Sequence, residues 1–175
     1  MFEIQPQNPE IYRSQTRRST IIIALVFLAL AMVLSTAAVA MFGEPGGDNL
    51  RFNVGGVFVA VLLMAALMRG KFWTQEWMAP AVYGWQLKRS LMSITNVMHQ
   101  VTAAVDAGDP SAMKLLRFYH LGLSQMHQLD ANSSDHSQLI REMDLHKARM
   151  EALGIETEQT QLNPAWLEAV KQTPR

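Results

Sequence analysis

Residues Leu34–Gly47 read "LSTAAVAMFGEPGG". A cut after the small-residue pattern Ala38-Val39-Ala40 would release everything downstream across a membrane. A turn through Gly43, Pro45, Gly46 and Gly47 would instead send a second helix back through the same bilayer. The flanking length favours the turn. Thr20–Met41, "TIIIALVFLALAMVLSTAAVAM", carries no charge. Its 22 residues make roughly 33 Å of helix, enough for a hydrocarbon core about 30 Å thick. A secretory core is only about 7–15 residues long. The twin arginine Arg17–Arg18 stands without the rest of an export motif. Thr20–Met41 therefore reads as an uncleaved anchor, and 43–51 as a short turn.

Phe52–Met68, "FNVGGVFVAVLLMAALM", is the second span. Seventeen residues is the lower edge for crossing, but Arg51 and Arg69 can snorkel and lengthen it. The expected layout is a cytoplasmic segment 1–19, a transmembrane hairpin 20–69 with spans 20–41 and 52–68, and a cytoplasmic helical domain 70–175. Basic residues set the orientation. Arg13, Arg17 and Arg18 precede the first span, and Arg69, Lys71, Lys88 and Arg89 follow the second. The turn holds only Arg51, beside Glu44 and Asp48. Both termini are expected in the cytoplasm of a bacterial inner membrane. Trp73, Trp77 and Trp85 fit interface anchors, with one ring edge apolar and the other wet. Ala31-x-x-x-Ser35 and Gly56-x-x-x-Ala60 are candidate helix-contact faces, because small residues let backbones approach. Neither span contains Asp, Glu, Lys, Arg or His, which argues against an ion or proton path.

The whole chain has 175 residues, with 15 Lys and Arg against 15 Asp and Glu. That balance lacks the basic face nucleic-acid binding needs. There is no cysteine, so disulfides, thiolate metal sites and cysteine nucleophiles are excluded.

Beyond the spans the apolar spacing is helical throughout, and the fold class expected is all-α. Leu87, Leu91, Ile94, Met98, Val101 and Val105 form a 4,3 seam on one helix over about 80–107. At "DAGDPSAM" Gly108 suits a left-handed helix end, Asp109 a cap and Pro110 a first turn. A second helix over 110–129 carries Ala112, Leu116, Tyr119, Leu123 and Met126. A third, over 134–153, is capped by Ser133 or Ser134, carries Leu139, Met143, His146, Met150 and Leu153, and closes at Gly154. Asn163–Pro164 repeats the cap signature for a last helix over 164–172. Short linkers imply antiparallel neighbours, hence a small bundle. The turn in "AAVDAGDPSAMKLLRFYHLG" resembles that of tetratricopeptide-like repeats, but only one such unit is present, whereas a solenoid needs about three.

Catalytic chemistry finds little support. Ser124, His127 and Asp130 are spaced along one helix where i and i+6 diverge, without an oxyanion turn. His120 and His127 lie about 10 Å apart along the axis, too far to share a metal. His136 with Asp135, and His146 with Glu142 and Asp144, are further nitrogen–oxygen pairs. His146 on the apolar seam reads as a buried neutral imidazole. No phosphate loop, dinucleotide fingerprint or H-E-x-x-H is present. No catalytic, cofactor-binding or metal residues are assigned, and neither cofactor nor small-molecule ligand is inferred. The 12 methionines read as core filler or as an adaptable binding face.

"MFEIQP…IYR", two close membrane helices, "VYGWQLKR" and "DAGDPSAM…LRFYHLG" together resemble an uncharacterised family of small bacterial inner-membrane proteins, catalogued as a domain of unknown function. The resemblance spans nearly the whole chain and implies no activity. The expected function is a non-enzymatic integral membrane protein whose cytoplasmic helices mediate self-association or binding to another membrane protein. The alternatives are an accessory subunit of a transporter or channel and, least favoured, a membrane-surface enzyme using a pocket of His120, His127, Arg117 and Asp130.

Overall fold

A computed structural model describes residues 2–131 and 136–172. Among them the chain is all-α: α1 (Pro9–Phe42), α2 (Leu50–Gly70), α3 (Ala79–Thr95), α4 (Met98–Asp106), α5 (Pro110–Leu129), α6 (His136–Ala152) and α7 (Pro164–Gln172). Two short 3₁₀ turns, Phe72–Thr74 and Glu76–Met78, separate α2 from α3. The helices divide into two compact units, Ser14–Val82 and the pair Met1–Arg13 with Tyr83–Arg175.

In the unit Ser14–Val82, α1 and α2 are both long and apolar enough to cross a membrane. Their packing residues are few. Phe52, Gly56, Ala60 and Met64 recur every four residues on α2 and are half-buried or buried, a single helix stripe. At Gly56 a Cβ would lie 2.5 Å from Ser35 Cα, so only glycine admits the α1 backbone there. Ser35 Oγ donates to Asn53 Oδ1 at 2.7 Å, and the Phe42 and Phe52 rings stack 6.2 Å apart. Asn49 ties the turn by accepting from Glu44 N and donating to its carbonyl, both at 3.0 Å. Away from the stripe the side chains point outward. Leu25, Leu28, Met32 and Val33 of α1 and Val54, Phe58 and Leu62 of α2 are each more than half exposed.

In the other unit, α5 is the central helix and packs on α4, α6 and α7. Asp109 caps it, accepting from Ser111 N at 2.7 Å, with Pro110 in the first turn. Gly108 supplies the left-handed corner at φ +84°, where a Cβ would be strained. Phe118, Met113, Leu115, Ile94, Met150 and Val170 form the core. Gly122 of α5 lets Leu91 and Leu87 of α3 approach. At the C-terminal end of α6, Ile155 N bonds back to Met150 O at 2.9 Å, the Schellman closure around Gly154.

Four sequence expectations change. The helix expected over 80–107 is two helices, α3 and α4. Val97 leaves helical geometry at φ −121°, ψ 17°, and Thr95 Oγ1 bonds Leu91 O at 3.0 Å. Ser, Thr and Asn in "SITNV" compete for backbone partners and favour such a break.

The α5 seam is also different. Ala112 is fully buried, but Leu116, Tyr119, Leu123 and Met126 are only half-buried, while Met113, Leu115, Phe118 and Leu129 are sealed. A helix covered by neighbours on several sides has no single buried seam. Leu153 lies past the end of α6 and is 56% exposed.

Finally, residues 1–19 are not a separate segment. Residues 2–13 join the helical unit, and α1 already begins at Pro9, capped by Asn8 Oδ1 accepting from Glu10 N at 2.9 Å. Ile4 N donates to Thr160 O and Leu162 N to Phe2 O, an isolated antiparallel bridge at Glu3 and Gln161. Phe2 packs edge-on against Phe118 at 6.5 Å, and Tyr12 is buried against Gly84. Ile4 also packs against the core; Phe2, Ile4 and Tyr12 are too scattered for a periodic signal, yet their burial holds the N-terminus in place. The expected cap Ser133 or Ser134, Asp135 and the side chain of His136 lie outside the described residues.

Candidate functional site

The feature of the helical unit with most chemical potential is a groove of about 460 Å³ among α4, α5 and α6. Its walls are apolar, with Met98, Leu116, Tyr119 and Leu145. Thr102, His120, Glu142 and His146 supply the polar groups. Helical spacing explains the arrangement. Glu142 and His146 are four apart on α6 and so share a face, while Arg117 and His120 are three apart on α5. The antiparallel packing of α5 and α6 brings the two faces together.

The His120 and His146 rings meet edge to face, 5.4 Å between centroids. His146 Nε2–H donates to Met113 O at 2.9 Å, which fixes its orientation. Burial pushes its pKa down, and the Arg117 and Arg149 charges add to this, whereas the bond to Met113 opposes it. Burial, then the neighbouring His146, lowers His120 to about 4. Its Nδ1 is buried without a hydrogen-bond partner among the described residues. Both rings are therefore neutral at pH 7. Arg117 is buried too; burial lowers its pKa, opposed by Glu158, Asp144 and Glu151. Its Nε–H donates to Thr157 O at 3.0 Å, and an Nη1–H reaches Met143 O at 3.5 Å. The guanidinium thus ties α5 to both α6 and the segment before α7.

The residues weighed in sequence for an enzyme pocket do not gather. His120 lines the groove, but Arg117 is spent on the Thr157 and Met143 carbonyls, and Asp130 closes α5 in an ion pair with Lys88 at 3.0 Å. His127 Nδ1 is buried without a hydrogen-bond partner among the described residues, so Ser124, His127 and Asp130 form no relay there. No group of three or more His, Cys, Asp or Glu able to hold a metal occurs among the described residues. Thr102 entered the groove unannounced, whereas Glu142 stands there beside His146, the partner the sequence offered it. His120 and His146 sit 26 positions apart in different helices, so no local motif could pair them.

In the unit Ser14–Val82, Gly56 and Ser35 are in direct apposition, Ala60 is fully buried and Ala31 half-buried. Trp73 and Trp77 follow α2, and Trp77 meets the Phe72 ring edge-on at 5.4 Å. Ser19, 1% exposed, donates its hydroxyl to Trp77 O at 2.6 Å. In the helical unit Trp85 is 46% exposed, with the Arg89 guanidinium 5.0 Å from its ring centre. The sequence did not single out Asn53, yet it takes the Ser35 hydroxyl bond.

Residues 2–167 match a family model described as "Protein of unknown function (DUF3087)". No curated protein and no solved structure matches the chain. The matched span takes in every helix from α1 to α6 and the start of α7, and the chain belongs to the DUF3087 family of proteins of unknown function.

Proposed function

We propose that this is a two-span protein of a bacterial inner membrane, with both termini in the cytoplasm, whose helical domain associates with a second copy or with another membrane protein. The observation that carries the membrane reading is the mantle of outward-facing Leu, Val, Met and Phe on α1 and α2. A soluble protein seldom leaves so large an apolar surface in water, whereas lipid covers it without penalty. Contacts between Ser35 and Gly56 and between Phe42 and Phe52 support an antiparallel hairpin, since one number falls as the other rises. The Ser35–Asn53 bond satisfies polar groups that hydrocarbon would otherwise strand.

The association reading rests on the helical unit. Leu145, 73% exposed, stands at the rim of the apolar groove, and Trp85 and Met92 project from α3 one heptad apart. The protein is not an enzyme in this reading. A general base works best with a pKa near the operating pH, and burial holds His120 far below it. As an accessory subunit of a transporter or channel, the protein would offer a partner the outer face of the helices, because Gly56 already faces Ser35 of the same chain. Crosslinking in native membranes, followed by mass spectrometry, tests association. Reproducible dimers or one recurrent partner are expected, and a strictly monomeric chain refutes it. A reporter fused after Arg175 tests topology, and activity on the outer side of the membrane refutes the orientation.

A further inference from the structure

We propose that Arg17, Arg18, Arg69 and Lys71 form a collar that binds the phosphates of anionic phospholipids. The proposal rests on the membrane reading above. All four side chains are exposed, and none pairs with a carboxylate among the described residues. They come from opposite ends of the sequence of this unit, but its folding brings them to one end. The Ser19–Trp77 bond fixes α1 just after Arg17 and Arg18 against the 3₁₀ turn. The Phe72–Trp77 ring contact folds that turn back towards the end of α2, where Arg69 and Lys71 stand. Thr74 Oγ1 and Gln75 Nε2 both donate to Lys71 O, at 3.1 and 3.2 Å, so the backbone carrying the lysine is braced. Glu76 is the one acidic side chain within this stretch of turn, which leaves the collar strongly positive. The far end of the same helices carries Glu44, Asp48 and Arg51 and has no such excess.

Position selects the ligand. The collar begins where the apolar mantle stops, at the depth of the headgroup phosphates. Arginine presents a planar fork that engages phosphate oxygens two at a time, and lysine adds a point charge. Basic groups between membrane helices at the cytoplasmic face attract anionic headgroups. Phosphatidylcholine carries the same phosphate but neutralises it with its own ammonium, so anionic lipid is preferred.

The full chain is reconstituted in nanodiscs of equal phosphatidylglycerol and phosphatidylcholine, released into mild detergent, and its retained lipid measured by native mass spectrometry. Enrichment of phosphatidylglycerol is expected. The Arg17→Gln, Arg18→Gln, Arg69→Gln and Lys71→Gln variants, combined, should lose it, by about fivefold for each charge removed. Arg51→Gln should keep it, and the charge-conserving Arg17→Lys with Arg18→Lys should keep most of it. Equal retention of the two lipids, or enrichment that survives the fourfold substitution, overturns the proposal. So does displacement of the lipid by inorganic phosphate at matched ionic strength, which would mark a free-anion site. Alkaline carbonate extraction of native membranes separates the two levels. Release of the chain refutes the membrane reading itself, whereas a retained chain without lipid preference refutes only the collar.

Discussion

Replacing Gly56 by alanine should loosen α1 from α2, and the cost can be worked from the geometry. The new Cβ would stand 2.5 Å from Ser35 Cα, 2.6 Å from Ser35 N and 2.8 Å from Leu34 C. All three neighbours are backbone, so no side chain can swing aside. Ordinary contact begins near 3.4 Å, and the helices must part by about 1 Å along the stripe of Phe52, Ala60 and Met64. Overpacking of this kind costs about 1–3 kcal/mol. The same displacement stretches the 2.7 Å Ser35–Asn53 bond, whose loss adds about 0.6–2 kcal/mol. A destabilisation of about 2–5 kcal/mol follows. The neighbouring Gly55 is the internal control, because a Cβ there meets nothing within 4 Å. Gly55→Ala should therefore change stability by less than about 0.5 kcal/mol or raise it. Unfolding of the full chain in mild detergent, followed by the fluorescence of Trp73 and Trp77, measures both variants. Equal stability of Gly56→Ala and the parent, or equal losses at positions 55 and 56, would refute this packing.

Three further outcomes test the helical unit. Phe118→Ala, at a side chain with no exposed surface, should cost about 3–5 kcal/mol in denaturant unfolding; a loss below about 1 kcal/mol would contradict a core centred on α5. Asp109→Ala removes the acceptor for Ser111 N and Ala112 N and should cost about 1 kcal/mol, with Asp109→Asn recovering most of it in the same measurement. The histidine pair sets a pH dependence. His120 and His146 titrate below the ordinary imidazole value in the folded chain, so the unfolded chain takes up protons first. Stability should be full above about pH 6.5 and fall below it, for His120 down to about pH 4, by up to about 1.4 kcal/mol per pH unit for each ring. Denaturant titrations at pH 7.5, 5.5 and 4.5 should show a shallower fall for His120→Gln, and an unchanged slope would show that the buried ring is not responsible.

The sequence by itself determined the helical character, the two long apolar stretches and most of the punctuation. Those are local properties. Charge-free length, a 4,3 repeat and the pairs Asp109–Pro110 and Asn163–Pro164 act within a few residues of backbone. Asn8–Pro9 is the same signature, and it places the true start of α1 eleven residues before Thr20. The tertiary structure decided what depends on distant neighbours. Phe2, Ile4 and Tyr12 belong to the helical unit because apolar area is buried wherever a complementary surface exists, whatever the separation along the chain. The buried surface of α5 passed to Phe118 and Leu115 because helices cover it from several sides. His120 and His146 became one neutral pair only when α5 and α6 packed, since a pKa depends on the burial and charges around a group in space.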